Sequence, residues 1–192
     1  MTKAKNKWTI TDIRKIIDEV ASKSEQFELL NGLELAYNGR LSRTLGRCLC
    51  KIAYSQGSIK WVEPYKLEFG KTILNVDSYE TLRQVVLHET AHAIANMRYQ
   101  DNCNHDSRFK TVCKEIGCEI VDASSGTASN EVRREIREVS LQLNKHKITC
   151  VGCGSEYFYT RATSVVKDIR LGKKTCVCPK CNSNDFTYTQ LR

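Results

Sequence analysis

Proline and histidine are scarce in this chain, with two and four among 192 residues, and methionine and tryptophan occur twice each. No uninterrupted apolar run exceeds three residues. A transmembrane helix needs about 20 apolar residues and the core of an export signal about 7–15. Both are therefore excluded from the expectation. The opening stretch, Met1-Thr-Lys-Ala-Lys-Asn-Lys-Trp8, is basic but carries no such core. Negative charge is also short: 22 Asp+Glu stand against 30 Lys+Arg, leaving a formal charge of +8. That permits an anionic partner without requiring one. Internal repeats and low-complexity tracts are lacking. The length suits one domain with a small appendage.

Cysteine is the abundant exception, at ten residues. A chain with no export signal folds where thiols stay reduced, so a disulfide framework is not expected. Metal binding is the first expectation and buried packing the second. Cys48 and Cys50 share one face of a predicted strand and read as packing. So do Cys113 and Cys118, at the end of a predicted helix.

The patterning predicts an α+β chain. Ile13, Ile16, Ile17 and Val20 form one apolar stripe, which predicts a helix from about Asp12 to Leu30 with a Thr9/Asp12 capping box. Short strands are expected at 33–37, 47–54, 66–69 and 72–76. Asp77-Ser-Tyr-Glu80 opens a strong helix running to Arg98, and His105-Asp106 opens another that closes at Gly117 or Cys118. The small polar segment 122–130 is the best domain boundary. Residues 131–147 read as an amphipathic connector. The expected domains are 1–125, a connector over 126–145, and 146–192.

The central helix carries His88-Glu89-Thr90-Ala91-His92. Side chains four apart share a helix face, so His88 and His92 can hold one metal ion. Glu89 lies beside that pair, where it can take a proton from water and later pass it to a leaving amine. Neutral imidazoles leave most of a zinc ion's charge uncompensated, which is what brings bound water to a pKa of roughly 7. His105, beyond His92 by a twelve-residue gap, is the chosen third ligand. Cys103 and Asp106 are its rivals, although Asp106 fits a helix cap or an outer hydrogen-bond acceptor better. A metzincin arrangement does not fit: Arg98 stands where its third histidine belongs, and no methionine follows Met97.

The tail contains Cys150-Val-Gly-Cys153 and, 24 residues later, Cys178-Pro-Lys-Cys181. Two such pairs at tight turns can give four thiolates to a structural, tetrahedral zinc. Gly154 and Asn182 suit the unusual backbone angles after each pair. A hairpin of 156–159 and 174–177 could fill the gap. Cys176 is too close to Cys178 to replace it, and His146 is a weaker alternative ligand. Tyr157, Tyr159, Arg161, Lys167, Arg170, Lys173 and Lys174 offer stacking faces and phosphate contacts, with Phe158, Phe186 and Tyr188 nearby. Against this, a ribbon this small needs aromatics for its own core. Residues 146–192 hold eight Lys/Arg and three Asp/Glu. A four-thiolate zinc centre would remove two charges from that surplus, so the tail is not singled out by charge.

With these motifs in order, the chain resembles the SprT-like metalloprotease family, which includes the Spartan proteases. The resemblance rests on the N-terminal helix, a small sheet, His88-Glu-Thr-Ala-His92, Asn104-His105-Asp106-x-x-Phe109, and the cysteine tail. It implies a zincin-like core of helices on a small sheet, followed by a four-cysteine zinc ribbon. It also implies His88, His92 and His105 as ligands of a catalytic zinc and Glu89 as acid/base. A second, structural zinc would sit on Cys150, Cys153, Cys178 and Cys181. The activity implied is cleavage of proteins bound or crosslinked to DNA. The expected partners are protein substrates and single-stranded or structured DNA, with no membrane, for a monomer. The expected location is the cytoplasm, near the nucleoid, or the nucleus of a eukaryote. Many members carry Gly where Asn104 stands, and Asn tolerates the left-handed backbone that Gly would supply. The other readings are a non-catalytic nucleic-acid-binding protein and a zinc hydrolase of non-peptide bonds.

Overall fold

A computed structural model describes residues 6–23, 27–41, 44–120 and 130–191. The chain forms two compact units, Met1–Arg137 and Glu138–Arg192. The boundary segment read at 122–130 lies outside the described residues except for Asn130. Among the described residues no helix is long and apolar enough to cross a membrane.

The first unit begins with α1, Ile10–Ala21, started by a Thr9/Asp12 capping box. Ile13, Ile16 and Ile17 are fully buried and Val20 nearly so. Each contributes roughly 1.5–3 kcal/mol to folding. The predicted long helix is in fact two: α1 stops at the Ser22 cap, and α2 spans Phe27–Gly32. Residues 22–26 are all polar and cannot continue the stripe.

Three strands follow: β1 at Glu34–Tyr37, β2 at Gly46–Ser55 and β3 at Ser58–Phe69. They form a sheet in the order β1-β3-β2, with β1 parallel and β2 antiparallel to β3. Gln56 and Gly57, at φ 50° and 79°, make the two-residue turn between β2 and β3. Such a turn matches the twist of the strands it joins. The strand expected at 72–76 is instead a 3-10 turn, Ile73–Asn75, whose Ile73 and Leu74 enter the core. The 3-10 turn carries both of these adjacent side chains into the core.

Helix α3, Tyr79–Tyr99, is buried on most of its surface from Thr81 to Asn96. Its ends are fixed by side chains. Ser78 accepts from the Thr81 backbone N–H. Glu135, on the helix α5 (Asn130–Leu143), accepts from the backbone N–H groups of Asp77 and Ser78 and from the Thr81 hydroxyl. A carboxylate there also meets the positive end of the helix dipole. At the other end, Gln100 bonds both the N–H and the carbonyl of Val62 on β3. Helix α4, Ser107–Ile116, starts at Asp106 and ends at Gly117, whose φ of 73° closes it.

The second unit holds a sheet in the order β5-β4-β6, in which β4 is His146–Cys150, β5 is Glu156–Tyr159 and β6 is Phe186–Gln190. Helix α6, Ser164–Arg170, fills the gap between the cysteine pairs. The strand expected at 174–177 does not form. Lys173 and Lys174 turn to Asp168 and Asp185, and the segment runs irregularly into the second knuckle.

Replacing Glu135 with Ala removes three acceptor contacts at the start of α3. The expected loss is about 1–2 kcal/mol, read as a lower midpoint for the first unit's transition in urea denaturation.

Candidate metal centre

Helix α3 presents His88 and His92 one turn apart, and the loop before α4 brings His105 to them. The three rings each offer a ligand atom, and these atoms lie within 4.8 Å of one another. The Nε2 atoms of His88 and His105 are 3.1 Å apart. Three nitrogens at about 2.0–2.1 Å from a shared zinc would stand about 3.3 Å apart, so the donor set fits that ion. Phe109, first apolar residue of the α4 stripe, stacks on His92 at 4.2 Å between ring centroids and packs edge-on against His88 and His105.

The hydrogen bond behind the His88 ring fixes which of its nitrogens faces inward. Nδ1 of His88 donates to the Ile120 carbonyl at 2.6 Å. A carbonyl can only accept, so the proton is on Nδ1 and the Nε2 lone pair is left for the cluster. Burial, and then the neighbouring His88 and His105, hold His92 down to about 3. Its ring is therefore neutral at pH 7, the form a metal takes.

Glu89 lies almost fully buried beside the histidines. Burial pushes its carboxyl up to about 7, against the pull of His88. The nearby Cys48 backbone N–H also pulls it down. Gly46, the first residue of β2, leaves it room. A Cβ on Gly46 would stand 2.8 Å from Glu89 Cγ and 3.0 Å from Oε1.

The rival ligands have other partners. Asp106 caps α4, accepting from the backbone N–H groups of Arg108 and Phe109 and from the Arg108 guanidinium. Cys103 is fully buried and directs its thiol to the Ala95 carbonyl. Asn104 is not among the described residues with positive φ, which are Gln56, Gln100 and Asn182 besides glycines. The loop needs no left-handed residue there, so a side chain costs it nothing.

A second group gathers Cys150, Cys153, Cys178 and Cys181, again within 4.8 Å. Cys150 and Cys181 sulfurs are 3.5 Å apart, and those of Cys153 and Cys178 are 3.6 Å apart. Zn–S bonds of about 2.3 Å at tetrahedral angles give about 3.8 Å, so this set also fits zinc. Gly154 and Asn182 take positive φ, 69° and 58°, and their N–H groups return to the carbonyls of Cys150 and Cys178. The Tyr157 hydroxyl lies 3.1 Å from Cys178 and holds its thiol down to about 6. All ten cysteines are free thiols. His146 stands apart from the sulfur group, with Nδ1 on the Tyr188 hydroxyl.

The residues read as nucleic-acid contacts are more occupied than a bare surface. Tyr157 is half-buried with its hydroxyl on Cys178, and Tyr159 is half-buried too. Lys173 and Lys174 pair with Asp168 and Asp185, and Arg170 lies over the Tyr188 ring. Arg161 and Lys167 are exposed. Exposed ion pairs contribute under about 1 kcal/mol and exchange readily for other anions.

Sequence reasoning misses Gly46, Ile120 and the Cys48 N–H. In the sequence Gly46 marks only the end of a strand. The other two act through the backbone, which leaves no mark in residue type.

The fold and the first site define a mixed α+β protein in which three histidines, two on the central helix and one on the loop before α4, form a group able to hold a metal ion. The model of the SprT-like family matches residues 13–134, well over half of the chain. The chain belongs to that family, which is generally of the metalloprotease type. No curated protein matches it. The four-cysteine group falls outside the matched segment.

Gly46→Val drives a buried side chain into Glu89. The expected cost is about 1–3 kcal/mol of stability, with Glu89 displaced in a structure of the variant.

Proposed function

We propose that this protein is a zinc-dependent endopeptidase that cleaves DNA-bound or DNA-crosslinked proteins. The observation that carries the reading is the convergence of His88, His92 and His105 beside a buried Glu89. The three imidazoles hold the catalytic zinc. When bound, that ion polarises the scissile carbonyl and makes water nucleophilic near neutral pH. Glu89 takes the proton from the attacking water and returns it to the nitrogen of the leaving amine. Its carboxyl, raised by burial toward neutrality, suits both directions of that transfer. Gly46 and the Cys48 N–H keep the carboxylate on its side of the cluster. Ile120 keeps the His88 ring turned inward.

Cys150, Cys153, Cys178 and Cys181 hold a second zinc that is structural, since four thiolates fill the tetrahedron. The second unit places the enzyme on DNA. Arg161, Lys167 and Arg170 meet phosphates, Lys173 and Lys174 exchange their carboxylate partners for phosphate, and Tyr159 supplies a stacking face. Its binding should weaken as salt rises.

Metal analysis should find two zinc ions per chain, with one lost in His88→Ala and the other in Cys178→Ser. A single zinc in the native protein would overturn one of the two centres. Glu89→Gln should keep both ions and lose about 10²–10⁴-fold in the rate of DNA-stimulated cleavage of a loosely folded protein. DNA binding with no cleavage by the zinc-replete native chain would instead leave a non-catalytic binding protein. Hydrolysis of only non-peptide bonds in a substrate panel would change the reaction class.

A further inference from the structure

Two thiols outside both metal groups stand against the catalytic machinery. Cys48 and Cys50 lie on β2, half-buried, with their sulfurs 3.8 Å apart. The register of β2 against β3 shifts between Leu49 and Cys50, where β3 carries the extra residue, Tyr65, so the bulge lies on β3 and β2 runs on without an insertion. Residues two apart on a strand are about 6.6 Å apart at Cα. A disulfide needs about 4.4–6.8 Å, so the pair falls near the upper end of that range, with its sulfurs already turned toward each other.

Each cysteine also touches a group that positions the site. The backbone N–H of Cys48 lies beside Glu89 and favours its charged form. The sulfur of Cys50 accepts from Asn96 Nδ2 at 3.4 Å, and Asn96 Oδ1 accepts from the Cys103 N–H at 2.9 Å. Cys103 is two residues before His105. The dithiol is thus linked to the acid/base through one cysteine and to the third histidine's loop through the other.

We propose that Cys48 and Cys50 form an oxidisable dithiol that closes to a disulfide under hydroperoxide and loosens the metal centre while closed. The Cys48 thiol donating to it, against the opposition of burial, and then the Asn96 amide hold Cys50 down to about 7, which makes Cys50 the attacking sulfur. Its thiolate attacks the hydroperoxide. An S–O bond forms, the O–O bond breaks, and the departing oxygen leaves as water or alcohol after taking a proton. Cys48 sulfur then attacks the Cys50 sulfenic acid. The S–S bond forms, the S–O bond breaks, and hydroxide leaves as water with the Cys48 proton. Two thiols lose two electrons and the hydroperoxide gains them. Closure takes from Asn96 its thiol acceptor and draws the Cys48 backbone toward Cys50. Both effects bear on Glu89 and on the loop carrying His105. The loss of catalysis rests on the endopeptidase reading; the dithiol chemistry does not.

Arg47 and Lys51 flank the pair, so trypsin releases Cys-Leu-Cys-Lys as one peptide. The zinc-loaded full chain is treated with hydrogen peroxide, blocked with an alkylating agent and digested. The expected peptide is unalkylated and lacks two hydrogen atoms. In Cys48→Ser, dimedone should trap Cys50 as its sulfenic acid. A reduced peptide, or one that carries only independent oxygen additions, overturns the dithiol. Hydrogen exchange at the Cys103 amide should quicken on oxidation and recover with dithiothreitol. Cleavage by the native chain should fall about tenfold or more, as expected when catalytic groups move by a fraction of an ångström. It should recover with dithiothreitol, while the oxidised-to-reduced ratio for Cys50→Ser stays at about one. A closed disulfide with unchanged Cys103 exchange overturns the coupling. A chain that never cleaves protein, yet forms the disulfide and exchanges faster, overturns the endopeptidase reading alone.

Discussion

The first unit is built around a buried helix that carries polar side chains into the core among its apolar ones. Helix α3 has no apolar stripe of the kind that docks α1. Gln84, His88, Glu89, Thr90 and Asn96 are all buried along it. A buried polar group without a partner costs several kcal/mol, so each of these must be met from outside the helix or from within it. Gln84 accepts from the Glu119 N–H, and Thr90 donates back to Val86. His88 reaches Ile120, Glu89 lies beside the Cys48 N–H, and Asn96 joins Cys103 to Cys50. The three-histidine group is the end of this series. Its members are held in place because the core would not close otherwise.

The second unit answers a different problem. Its buried apolar side chains, among the described residues, are Val139, Ile148 and Val166 together with the sulfurs of Cys150 and Cys178. That is little for a unit of this size, and small domains of this kind usually depend on metals or crosslinks. The aromatics offer partial cover: Tyr157, Phe186 and Tyr188 are half-buried. Four converging sulfurs supply the remaining restraint. The two knuckles have the same backbone form, with two return hydrogen bonds each, since the N–H groups of Cys150 and Cys178 also donate to the carbonyls of Ser155 and Ser183, which suits a site made to hold shape.

Residue type and spacing disclosed the side-chain groups that the fold brings together. The histidine spacing, the cysteine pairs and the positive φ of Gly154 and Asn182 were all legible. So were the cap at Asp106 and the limits of α3 and α4, because caps and apolar periods are local. The misses have a common cause. The split of the first helix turned on a run of five polar residues that no apolar position contradicted. The strand expected at 72–76 gives way to a turn that carries Ile73 and Leu74 into the core, a demand set by tertiary packing. Lys174 to Val177 alternates like a strand, yet no neighbouring strand was left for it to join.

Ile120 brings out a further property of the site. Its side chain is nearly buried, but its part in the centre is played by a carbonyl that every amino acid possesses. A survey of tolerated substitutions would score position 120 for packing alone and pass over its hold on His88. Only a change to the main chain, such as an ester in place of the amide that follows Ile120, weakens that carbonyl as an acceptor. In lineages where residue 120 drifts among apolar types, the orientation of the histidine is inherited through the path of the chain.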